Sequence, residues 1–168
     1  MELREGELIP EKVEPKYKPM DEDVFWEVIE SFNWMKAGND DAVMRPAFKR
    51  LISMEIKDIK EFAEILAKKL YNLDGLIYAQ NIGSDSYKGE REFFSNDYFL
   101  YVRCCVVANG KEFYNHVIQN PKNMLKDIDF EPLLYLADKV YNKKLKTEDE
   151  FIDTKYSFET FSNKEAWK

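Results

Sequence analysis

Four residues have the types and spacing from which a chemical site could be assembled: Asp74, Tyr78, Asp97 and Arg103. Asp74 and Tyr78 share one face at i,i+4 if a helix runs through them, and Asp97 and Arg103 flank the start of the apolar run that follows. Brought together around an open cleft, they would line the polar pocket of a small enzyme or a small-ligand-binding protein. They also have a purely structural reading. An Asp–Arg pair and a buried tyrosine hydroxyl would tie two helices together, because buried polar groups have to be paired.

Other routes to catalysis are narrow. His116 is the only histidine, so a Ser-His-Asp or Cys-His arrangement would have to pass through it, and zinc sites built on several histidines are excluded. It lies in a polar stretch beside Asn115, which suits a surface or inter-helix hydrogen bond. Cys104 and Cys105 are adjacent, close no useful loop and point to different sides of any regular element, so they read as reduced core thiols. Carboxylates such as Asp40, Asp41, Asp85, Asp127 and Asp129 mostly stand where helix N-caps are expected. No EF-hand spacing, Walker loop or dinucleotide fingerprint is present. The expectation is therefore no metal and no cofactor.

Charge and hydropathy narrow the partners. A net charge of −7, with basic residues interspersed among acids, argues against a phosphate-backbone ligand, so no nucleic acid is expected. Lys68-Lys69 and Lys143-Lys144 read as solvated helix faces. The apolar runs 99–102 and 104–108 are separated by Arg103 and fall short of the roughly 20 residues of a membrane span. The Glu-rich N-terminus lacks the apolar stretch of a signal peptide, so no membrane association and a cytoplasmic location are expected.

The elements that must position these residues read as helices. At residues 20–29, Asp21 is an N-cap, Glu22 and Asp23 sit at the positive end of the dipole, and Met20 and Phe25 form a hydrophobic staple. Val24, Phe25, Val28, Ile29, Phe32 and Met35 recur at helical spacing and predict a helix over 21–36. A second, over about 41–53, contains Pro46, which bends it or marks its first turn. The clearest stripe is Ile56, Ile59, Phe62, Ala63, Leu66, Leu70 and Leu73, with Lys57, Asp58, Lys60, Glu61, Glu64 and Lys68 opposite. Asp74-Gly75 interrupts it, residues 76–82 resume as helix, and the polar, glycine-containing 83–96 predicts a long exposed loop fit to carry binding residues.

Residues 99–107 are aromatic and β-branched enough for a strand, but their boundaries predict a helix, capped by Asp97 and closed by Asn109-Gly110. Residues 111–119 continue as helix up to Asn120-Pro121, where Asn120 caps a short turn. Asp129 precedes a last stripe over 130–142, formed by Leu133, Leu134, Leu136, Ala137, Val140 and Tyr141.

Several short motifs occur together in this order: Phe25-Trp26 after an acidic helix start, Leu70-Tyr71-Asn72-Leu73-Asp74 with Tyr78-Ala79, Ser95-Asn96-Asp97-Tyr98-Phe99 leading to Val102-Arg103 and Gly110, then Asn120-Pro121 and the run 133–138. Together they resemble a bacterial family, domain of unknown function 4240, over about residues 20–145. The family pattern has a glycine pair, a cysteine and Ser-Asp-Asp ahead of a helix with Arg-x-Trp-Leu-Ile. Here Phe94 stands in place of that cysteine, a longer loop separates Gly83 from Ser95, and Arg103 is followed directly by Cys104-Cys105-Val106-Val107. The resemblance implies a helix over 98–108 and no established activity.

The expected fold is all-α: a single compact orthogonal bundle of about six or seven helices over residues 20–145. An extended N-terminal tail at 1–19 carries Pro10, Pro15 and Pro19, and a C-terminal extension at 146–168 packs on the bundle. Two functional readings stand side by side. One is a non-catalytic protein-binding or regulatory module, immunity-type partners being one form, with another protein as its partner. It would use the acidic, aromatic surface around loop 83–96, with Tyr87 and Trp26 or Trp34. The other is the small enzyme or ligand-binding protein with its pocket at Asp74, Tyr78, Asp97 and Arg103.

Overall fold

The computed structural model describes residues 19–168, so the expected tail lies almost wholly outside the described residues. Among these, regular structure is helical, with seven α-helices and no strand. Helix α1 (Glu22–Glu30) starts as its local signals dictate: Asp21 accepts from the Val24 N–H at 2.8 Å, and Met20 and Phe25 are both buried. It stops earlier than predicted. The Ser31 hydroxyl donates to the Val28 carbonyl at 2.6 Å, and Asn33 caps a separate 3₁₀ turn, Trp34–Lys36, which leaves Met35 in solvent.

Helix α2 (Asp40–Ile52) is capped by Asn39, which accepts from the Ala42 N–H at 3.1 Å, and runs on through Pro46. Proline therefore does not mark its first turn. Helix α3 (Ile56–Asn72) buries Ile59, Phe62, Leu66, Ala67 and Leu70, each large apolar side chain worth about 1.5–3 kcal/mol when withdrawn from water. Asp58, expected on its polar face, is instead buried and accepts the Met20 N–H at 2.9 Å, anchoring the entry to α1.

Helix α4 (Leu76–Ala79) is a single turn, shorter than predicted. Helix α5 (Asn96–Ala108) is the centre of the fold, buried from Phe99 to Ala108 except at Tyr101, and it packs on α3, on α6 (Lys111–Gln119) and on a 3₁₀ turn at Glu131–Tyr135. Its N-cap is Ser95, whose hydroxyl accepts from the Tyr98 N–H at 3.1 Å. Asp97, predicted as the cap, lies exposed in the first turn. Gly110 takes φ +98° between α5 and α6, as the Asn-Gly pair foretells. The stripe predicted over 130–142 is divided: the 3₁₀ turn comes first, and α7 (Leu136–Leu145) follows, packing on α2 and α3.

After α7 the chain crosses back over the helices without regular structure as far as a 3₁₀ turn at Lys164–Trp167. Along residues 151–160 exposure alternates residue by residue, with Ile152, Thr154, Tyr156, Phe158 and Thr160 turned towards the protein. We call residues 151–167 the strap.

Candidate functional site

The structure brings Asp74 and Arg103 into one buried region, but it does not pair them. Asp74 lies in the turn between α3 and α4, fully excluded from solvent. Its Oδ1 accepts from the Phe161 N–H at 3.1 Å and the Trp167 indole N–H at 2.7 Å, and its Oδ2 from the Asn163 N–H at 2.9 Å. Three N–H donors on one carboxylate compensate a buried anion. Arg103, also fully buried, donates through Nη1 to the carbonyls of Leu70 and Phe158, both at 2.9 Å, and through Nη2 to Thr160 Oγ1 at 3.0 Å. The Thr160 hydroxyl in turn donates to the Asn96 carbonyl at 2.8 Å. The guanidinium lies 4.7 Å over the Phe99 ring, and its Nε has no hydrogen-bond partner. Burial draws Arg103 down to about 10, with the charge of Asp74 working against that shift.

The other predicted site residues go elsewhere. Tyr78 is buried in α4, its phenol pushed up by desolvation, and the break between α3 and α4 removes the i,i+4 relation to Asp74. Asp97 is exposed in the first turn of α5, and no hydrogen bond joins it to Asp74, Tyr78 or Arg103. Trp26 is buried rather than presented: it packs at 5.0 Å on Phe25 and 5.4 Å on Tyr114, with Lys69 Nζ 5.7 Å from its ring. Tyr87 is half-buried, edge-on to Phe94 at 5.3 Å and to Trp167 at 5.5 Å.

Loop 83–96 is less exposed than its composition predicts, because both of its ends are anchored. The Ser84 N–H and hydroxyl donate to Asp127 Oδ1 at 2.8 and 2.7 Å, which holds that carboxyl below its usual range. Ile82 N–H donates to Ser86 Oγ at 2.9 Å, and Tyr87 N–H to the Ala79 carbonyl at 2.9 Å. Gly83 has φ +93°, and a Cβ there would meet the Asp127 carboxylate at 2.6 Å. At the far end Phe94 packs on Phe99 at 5.7 Å. The solvent-facing part is the run Lys88-Gly89-Glu90-Arg91-Glu92-Phe93, ending on an aromatic ring that is 93% exposed.

Sequence reasoning missed the strap as the partner of both buried charges. The signal was present: apolar or β-branched residues at 152, 154, 156, 158 and 160 alternate with Asp153, Lys155, Ser157 and Glu159, a period of two. A concavity of about 520 Å³ lies elsewhere, between α2 and α7, with Met44, Phe48, Ile52 and Leu136 among its lining and Asp41, Arg45, Lys49 and Lys139 around them. Cys104 and Cys105 are buried free thiols, and burial raises both, Cys105 to about 11. His116 is exposed near the end of α6. Among the described residues no group of three or more His, Cys, Asp or Glu could hold a metal ion, and no helix is long and apolar enough to cross a membrane.

No curated protein and no solved structure matches this chain. A family model does, over residues 20–143, which takes in all seven helices up to the last turn of α7 and leaves the strap outside. By that match the chain belongs to the family described as Protein of unknown function (DUF4240).

Proposed function

We propose that this chain is a non-catalytic protein-binding module, regulatory in kind, whose recognition element is the exposed run at residues 88–93. The observation that carries the reading is Phe93, an aromatic side chain 93% exposed on a segment anchored at both ends. An anchored loop loses little conformational entropy on binding, and an aromatic ring with alternating charges beside it suits a hot spot with a polar rim. The rival pocket receives no such support. Asp74 and Arg103 direct their hydrogen bonds to the protein's own backbone and side chains, and the exposed Asp97 shares none of them.

The test is affinity capture from the native host with the wild-type chain and with Phe93→Ser. The expected result is a protein retained by the wild type and reduced at least tenfold by the variant, with equal melting temperatures. A turnover or small-molecule affinity measured on the purified chain, or a partner indifferent to Phe93→Ser, overturns the reading.

A further inference from the structure

We infer that the helical domain carries a peptide-binding cradle, and that the strap, residues 151–167, is a peptide ligand held in cis. This inference stands independently of the role proposed for residues 88–93. It rests on how the strap is held. Four of its N–H groups and one carbonyl are held by side chains of the helical domain, and its own turns close only from Glu159 onwards. Ile152 N–H donates to Asp138 Oδ1 at 3.0 Å, and Lys155 N–H to both oxygens of Glu64 at 3.0 and 2.9 Å. Phe161 and Asn163 N–H donate to Asp74, and the Phe158 carbonyl accepts from Arg103. Capture of an extended backbone by fixed donors and acceptors, with alternate side chains turned inwards, is a recurring mode of peptide recognition.

The cradle ends in a pocket for one side chain. The Trp167 ring lies 4.4 Å from Phe161, 5.5 Å from Tyr87, 5.9 Å from Phe99 and 6.2 Å from Phe94, edge-on or tilted to each, while its N–H reaches Asp74. Apart from Phe161, those rings belong to the loop and α5. Aromatic walls with one buried acceptor select an indole, whose single polar atom is a donor. Gly75 completes the fit. A Cβ there would lie 2.9 Å from the Ala166 Cβ, although its φ of −161° is open to any residue, so glycine is required by the approach of the strap. The ligand class is therefore an extended peptide with aromatic or β-branched residues at alternate positions, followed by a tryptophan.

The experiment keeps the whole chain. A protease site placed within the exposed residues 147–150 allows the strap to be nicked but left in place, and a fluorescent peptide of residues 151–168 is then added. The expected result is uptake of the peptide by the nicked chain with helical circular dichroism unchanged, and none by the intact chain. Trp167→Ala in the peptide, or Gly75→Ala in the nicked chain, should weaken uptake at least tenfold. Loss of the helical signal whenever the strap leaves would make it ordinary core and overturn the inference. Equal uptake of the Trp167→Ala peptide would overturn it too.

Discussion

Asp74 and Arg103 on one side, and the run from Lys88 to Phe93 on the other, are both rich in groups able to recognise a ligand, yet the fold treats them in opposite ways. The first two are withdrawn from water and engaged by the strap, and Arg103 also serves the Leu70 carbonyl. The second run stays in solvent between two anchored ends. The difference does not lie in residue type, since both regions contain an acid, an arginine and a nearby aromatic ring. It lies in whether the chain itself delivers backbone donors and acceptors to the side chains. Where it does, the charges are already occupied by a segment of the same chain; where it does not, they remain available.

That comparison breaks most readily at Arg103. Arg103→Ala would leave the Leu70 and Phe158 carbonyls and Thr160 without their donor and open a cavity beside Phe99, costing about 4 kcal/mol. The corresponding fall in melting temperature is roughly 10 °C for a chain of this size. A variant that melts like the wild type would show that Arg103 is not structural. Asp74→Asn comes next. The amide keeps one acceptor but aims a donor at an N–H already aimed at it, so about 2 kcal/mol should be lost in chemical denaturation.

The thiols of α5 extend the comparison into pH. Burial raises both, so the native protein keeps protons that the unfolded chain releases near pH 9. The sign is that of a raised acid: the stabilisation is complete below about pH 9 and is lost as pH climbs towards the value of about 11 held by Cys105. Arg103, drawn down to about 10, acts in the opposite sense, and only above that pH. The free energy of unfolding should fall from pH 9 upwards, by about 1.4 kcal/mol per pH unit for each thiol, and Cys105→Ala should flatten that slope. At neutral pH neither thiol should react with a disulfide reagent before unfolding. Prompt labelling of the native protein would place α5 nearer the surface than its burial implies.

Much of the fold was legible because its signals are local. The Asp21 cap, the burial of Met20 and Phe25, the α3 stripe and the Asn109-Gly110 stop are all set within a turn or two, and the structure keeps each of them. The errors arose where two local devices competed. Ser31 and Asn33 ended α1 early, and Ser95 displaced Asp97 as the cap of α5. The candidate site was legible only in part. Asp74 and Arg103 were identifiable as unusual charges in apolar surroundings, but their partners lie 55 to 93 residues away in the strap, and no periodicity spans that distance. Asp58 escaped for the same reason: its partner is the Met20 N–H, 38 residues away.

The smallest expected effect on stability is also the sharpest test of the contrast. Phe93 has almost its whole surface in water, so Phe93→Ser removes no burial, strands no polar group and leaves the anchors at Ser84, Ser86 and Phe94 untouched. Surface changes of that kind stay within about 0.5 kcal/mol, and the variant should melt with the wild type. An aromatic ring left in solvent on a well-folded loop contributes nothing to folding, so any loss in function must appear in binding. A marked drop in stability would mean that the ring covers apolar surface after all, and the two regions would then differ in degree rather than in kind.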